Sequence, residues 1–206
     1  LFNLTFDVVG PITLSKNYAY YGQNIVYSDG SSDDARAGAM IAEACLAIDD
    51  EVNFADYDWN GDGEVDQVFV IYAGRGESNG GGSNTIWPHM FFLSLGDYGK
   101  SLVLDGTTID TYACACELNS YGTTSGIGTI CHEFSHCLGF ADLYDTAYGE
   151  GYGMKTWDLM AQGNYNGNSF CPAGYTGYEK WVAGWIEPIE LRNDTIIEKI
   201  KPQSTG

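Results

Sequence analysis

The sequence predicts an α+β domain whose upper half holds a twisted mixed sheet, a helix backing it and a second helix, above an irregular lower half. Three observations carry this. "DQVFVIYAG" (66–74) and "GTTIDTYACACEL" (106–118) are dense in β-branched and aromatic residues, as buried strands are. Between Ser31 and Phe54, Ala37, Met40, Ile41, Ala44, Cys45 and Ile48 recur at helical spacing. Beyond Gly139 the periodicity stops and the text turns to Gly, Tyr and Asn. The expected organisation is one domain over residues 1–206, with an upper subdomain of roughly 1–139, a lower one of roughly 140–206 and a cleft between them.

In chain order, "LTFDVVGPITL" (4–14) alternates up to a Gly10-Pro11 break and reads as a strand entering a turn. "SSDDARAGAM" then supplies serine caps and two first-turn acids that suit a helix dipole. "GRGESNGGGSN" (74–84) is a glycine-rich loop that matches neither GxGxxG nor GxxxxGK[ST], so it is not read as a phosphate cradle. The 106–118 segment is expected to offer an edge strand to an extended peptide. A helix over Ile127–Leu138 carries an apolar stripe of Ile127, Ile130, Phe134 and Leu138 that can face the core. "TGYEKWVAGWI" (176–186) reads as a closing helix.

Composition narrows the function. The formal net charge is −19, from 28 acids against 9 bases. Nucleic acid and anionic membranes are therefore poor partners, and bound cations would relieve the self-repulsion. No apolar run is long enough to span a bilayer. At 44% hydrophobic residues the chain can fill a core, and it is read as a monomer. Cys45, Cys114, Cys116, Cys131, Cys137 and Cys171 show no CxxC spacing; their even number permits disulfides, and free buried thiols explain the scatter as well. The start at Leu1 and the tail "KPQSTG" read as those of a piece of something longer.

The most specific stretch is "TICHEFSHCLGFADLYD" (129–145). His132 and His136 stand four apart, about 40° around a helix axis, so both imidazoles can reach one zinc ion. Glu133 is displaced around the axis, off the metal but beside a metal-bound water whose proton it can take. Gly139 is placed to stop the helix in a left-handed turn and bring Asp142 back toward the ion. A carboxylate is competent as third zinc ligand. Glu179, on the closing helix, is the rival third ligand if the site is built with a glutamate from a later helix.

A second constellation lies in "DYDWNGDGEVD" (56–66). Asp58, Asn60, Asp62 and Asp66 alternate around Gly63, with the Glu64 backbone carbonyl between them, which is the oxygen spacing of an EF-hand-like calcium loop. Phe69 stands where a bidentate glutamate would close such a loop, and a strand follows rather than a helix. A stabilising calcium is expected, with its remaining ligands from outside the loop or from water.

HExxHxxGxxD followed by Leu143-Tyr144-Asp145, together with the Asp- and Gly-rich segment leading into "VFVIYAGRGE", resembles the immune inhibitor A-like metallopeptidases, secreted bacterial enzymes of the metzincin-like group. The resemblance runs from "FDVVGPITL" to "GYEKWVAGWI". It implies a metzincin-like catalytic domain and a secreted or cell-surface zinc endopeptidase, acting on extracellular proteins and peptides. Zinc ligands would be His132, His136 and Asp142, with Glu133 as general base. It also makes Met160 in "TWDLMAQG" the Met-turn candidate, with Met154 its competitor. His89 in "IWPHM" is either a cleft residue or structural, and Tyr165 is a candidate oxyanion donor. The competing reading is a catalytically lapsed, calcium-stabilised binding module with a peptidase fold, against which the intact Glu133 weighs. A zinc hydrolase of a non-peptide bond is the third.

Overall fold

The computed structural model describes residues 6–147, 149, 151–194 and 196–199. It forms two compact units, Leu1–Gly174 and Tyr175–Gly206. In the first, a mixed three-stranded sheet sets the frame. Its strands are β3 (Val68–Arg75), β4 (His89–Phe92) and β7 (Thr111–Leu118), in the order β3-β7-β4. β3 runs parallel to β7 and β4 antiparallel to it. Two small antiparallel pairs complete the strands: β1 (Asn24–Val26) with β2 (Ser32–Asp34), and β5 (Leu102–Leu104) with β6 (Thr107–Ile109). The helices are α1 (Tyr18–Gly22), α2 (Ala37–Ala47), α3 (Gly128–Cys137) and, in the second unit, α4 (Gly177–Val182).

The α+β expectation and the backing helix hold. Successive strand residues face opposite sides, and Tyr112 and Cys114 of β7 enter a core shared with Met40, Ile41 and Cys45 of α2. Burying a side chain such as Ile41 completely contributes about 1.5–3 kcal/mol, and Ile41, Leu93 and Ile109 are all fully enclosed. The small residues Ala113 and Ala115 alternate with them on β7, also buried, and α3 packs against this strand.

Four expectations change. β7 is the central strand, not an edge: hydrogen bonding on both sides is what its continuous burial reflects. The antiparallel edge is β4 instead. Residues 6–14 join no ladder among the described residues, and the Gly10–Pro11 bond is cis; Leu4 and Thr5 lie outside the described residues. Ser32–Asp34 is a strand, so it does not cap α2. The cap comes from far away: the Asp97 carboxylate accepts from the Gly38 N–H at 2.7 Å and the Ala39 N–H at 3.1 Å. A carboxylate there satisfies two orphan donors and meets the positive end of the dipole. Gly38 leaves room for it, since a Cβ would stand 3.0 Å from Asp97 Oδ1.

The fourth change concerns α3. Its apolar stripe does not face the core: Ile127 is 59% and Leu138 40% exposed, while Gly128, His132, Glu133 and Ser135 are buried. The inward face is polar because its groups have partners waiting there, and close because Gly128 carries no Cβ to meet the Asn164 carbonyl. No helix among the described residues is long and apolar enough to cross a membrane, and no described cysteine is in a disulfide.

Candidate metal centre

α3 ends as its glycine dictates. Gly139 adopts φ +89°, its N–H reaches the His136 carbonyl at 2.9 Å and the Phe140 N–H reaches the Ser135 carbonyl at 3.1 Å. That is a Schellman stop. The same turn swings the Phe140 carbonyl back onto His136 Nδ1, at 2.8 Å. His132 Nδ1 is held at 2.8 Å by the carbonyl of Leu159. A carbonyl can only accept, so both Nδ1 atoms carry the proton and both Nε2 atoms turn their other side to a common point.

Asp142 stands at that point. Its Oδ1 is 3.2 Å from His132 Nε2 and 3.4 Å from His136 Nε2. Two ligands bound at about 2.0–2.1 Å in tetrahedral geometry lie about 3.3 Å apart, so both histidine–aspartate separations are those of ligands on one ion. Asp142 Oδ1 is buried, and with neutral imidazoles no donor satisfies it. The donor set therefore fits a divalent metal. Without an ion, the atoms can meet only if the imidazoles take up protons. Burial is the largest single effect and works against that charge, but the hydrogen bond to Asp142, the carbonyls of Leu159 and Phe140 and the charge on Glu133 together outweigh it and raise both histidines. Burial likewise works to raise Asp142, yet the two histidines hold its carboxyl well below the usual carboxylate range.

Glu133 completes the group: among the described residues, His132, Glu133 and His136 bring ligand atoms within 4.8 Å of one another. Burial pushes the Glu133 carboxyl up, partly offset by His132, His136 and His89. A carboxyl so raised is better matched to taking and returning a proton near neutral pH. Tyr165 is half-exposed; burial raises its hydroxyl, and the charge on Glu133 adds to the rise. Met160 is fully buried beside Leu159, whereas Met154 is 39% exposed. His89 spends both ring nitrogens, one on the Trp87 carbonyl at 2.6 Å and one on the Tyr112 hydroxyl at 2.9 Å, and is structural.

The rival Glu179 is engaged in its own unit. Its Oε2 accepts from the Thr176 N–H at 2.6 Å and hydroxyl at 2.8 Å, forming the capping box of α4. Sequence reasoning missed the Leu159 carbonyl, which as a backbone group leaves no residue-type signal. The Phe140 carbonyl was in principle readable, because a glycine stop fixes where the next carbonyl goes.

The loop at Asp58–Asp66 is wound on itself. Asp58 Oδ1 accepts from the Gly61 and Asp62 N–H groups at 2.8 and 3.0 Å, and Oδ2 from Gly63 at 2.9 Å. Asn60 Oδ1 takes the Asp62 N–H at 2.8 Å, Asp62 Oδ1 the Glu64 N–H at 2.9 Å, and Asp66 Oδ2 the Trp59 N–H at 2.6 Å. The loop is stitched to β6 by Val65 N–H to Thr108 O at 2.8 Å and Thr108 N–H to Gly63 O at 2.9 Å. Its acids do not form a second group close enough to share an ion among the described residues.

Comparison with known proteins follows the same lines. The family profile described as "Immune inhibitor A peptidase M6, catalytic domain" matches residues 2–186. The chain is 32% identical over 211 residues to the "Pre-pro-metalloprotease PrtV" of Vibrio cholerae serotype O1 (strain M66-2), covering 90% of this chain and 22% of that protein. It is 28% identical over 162 residues to "Immune inhibitor A" of Bacillus thuringiensis subsp. alesti, covering 67% of this chain and 23% of that one. The chain thus spans less than a quarter of the length of these relatives.

Proposed function

The chain belongs to the immune inhibitor A peptidase M6 family, and on that premise we propose that it is the catalytic domain of a secreted zinc endopeptidase that hydrolyses peptide bonds in extracellular proteins. The observation that carries this reading is the convergence of His132 Nε2, His136 Nε2 and Asp142 Oδ1 at 3.2 and 3.4 Å. These three would hold zinc, which when bound supplies Lewis acidity to a water and to the scissile carbonyl. Glu133, beside them, takes the proton of the attacking water and returns it to the leaving amine. Tyr165 donates to the carbonyl oxygen as negative charge builds on it. The open antiparallel edge of β4 receives the substrate as an added strand. Secretion is supported by the "pre-pro" in the name of the Vibrio relative.

Calcium is assigned to Asp58, Asn60, Asp62, Asp66 and the Glu64 carbonyl. What supports it is the spacing, the Asp58 carboxylate already bridging three N–H groups across the glycine turn, and the net charge of −19.

Digestion of a denatured protein, with and without a chelator, tests the function. Cleavage should stop with chelator, return with zinc, and fall about 10²–10⁴-fold in Glu133→Gln, which keeps the metal. Cleavage by Glu133→Gln at the parent's rate would sink the mechanism, and no cleavage by the zinc-loaded parent would favour the binding module.

A further inference from the structure

Below the site lies a carboxylate that the reaction does not use. Asp158 is 0% exposed. Its Oδ1 accepts the Met160 N–H at 2.7 Å, a buried bond, and its Oδ2 has no hydrogen-bond partner among the described residues. A buried acid with one oxygen unsatisfied is costly, so a hydrophobe would serve the core better unless the bonded oxygen does something a hydrophobe cannot. The bond it makes closes an Asx turn over Asp158–Met160. The main-chain carbonyl of Asp158 tightens the next turn, accepting from Ala161 at 3.3 Å and Gly163 at 3.0 Å.

Two consecutive carbonyls leave this turn for the metal centre. Leu159 O holds His132 Nδ1 at 2.8 Å. Met160 O accepts the N–H of Leu143 at 2.7 Å, and Leu143 is the residue after Asp142. The directions of these carbonyls follow from the turn that the Asp158 side chain closes. We propose that Asp158 is a positioning residue for the metal: by pinning the Met160 N–H it aims the Leu159 and Met160 carbonyls, and through them fixes His132 and the Asp142 segment at the same time. The carboxylate touches neither metal nor substrate. Its effect falls on ligand geometry, where misplaced outer supports weaken metal binding.

The inference rests on His132, His136 and Asp142 being the metal site, and its test separates the two. Metal affinity is measured by chelator competition with zinc, and the visible bands of the cobalt-loaded protein report ligand geometry. Asp158→Asn keeps an oxygen for the Met160 N–H and should hold affinity within about threefold of the parent, with unchanged cobalt bands. Asp158→Leu removes the acceptor in nearly the same volume; affinity should fall about 10–100-fold with shifted bands. Asp158→Ser, whose hydroxyl makes the same turn more weakly, should fall between them. A folded leucine variant with parental affinity and bands overturns the proposal; if that variant does not fold, a serine variant indistinguishable from the parent overturns it. Failure of the parent itself to bind zinc would instead sink the site on which the inference rests.

Discussion

The acidic loop and the metal centre both present carboxylates and both read as cation sites in the sequence, but their atoms are in opposite states. In the loop every named side-chain oxygen already accepts an N–H from within seven residues. It is a local structure, shaped before any ion arrives. In the metal centre the orienting contacts come from up to 27 residues away, as from Leu159 to His132, while the converging atoms have no donor between them as long as the imidazoles are neutral. A site that waits for its ion should lose function when one ligand goes. A loop that shapes itself should lose only the stability the ion adds.

Asp142→Ala is the sharpest way to break that contrast. Removing a direct ligand should weaken zinc binding by more than the about 10–100-fold typical of outer supports. Elemental analysis should then find zinc sharply reduced and calcium retained. Undiminished zinc would move the third ligand to Glu179 or elsewhere.

The converse experiment uses the loop. Calcium at 100 times its dissociation constant stabilises by about 2.7 kcal/mol, which for a chain of this size raises Tm by roughly 5–10 °C. Asp58→Ala should abolish that rise and leave zinc content unchanged, because among the described residues Asp58 is bonded within its own loop. A calcium-dependent Tm that survives Asp58→Ala would place the ion somewhere else.

The same contrast explains what could be read from the sequence. His132, Glu133, His136 and the Gly139 stop were legible because helix periodicity and a left-handed glycine act over a few residues. β3, α2 and α3 were legible for the same reason. What failed needed a distant partner: the Asp97 cap of α2, the pairing of Ser32–Asp34 with β1, and the placement of β7 between β3 and β4. The apolar stripe of α3 misled because amphipathicity assumes that apolar faces point inward. Here the inward face carries the histidines, whose Nδ1 atoms are satisfied by carbonyls, that of His132 by Leu159, 27 residues on, and that of His136 by Phe140 just past the helix stop.

The smallest expected effect separates an ion pair from a metal site. In the metal-free protein, His132 and His136 are raised, so the stability they contribute is full below their ordinary value of about 6.5 and is lost as pH rises through the raised values. Asp142 is depressed, so its contribution is full above about 3.9 and is lost as pH falls through the depressed value. Both terms overlap between roughly pH 4 and 6.5. The parent should therefore exceed Asp142→Asn in Tm most clearly near pH 5, with the gap closing toward pH 9. Saturating zinc should reverse the trend, because binding requires the imidazoles to give up their protons and so strengthens as pH rises. A gap that closes with pH in both forms would mean that His132, His136 and Asp142 act as a proton-held pair, and that zinc binds without them.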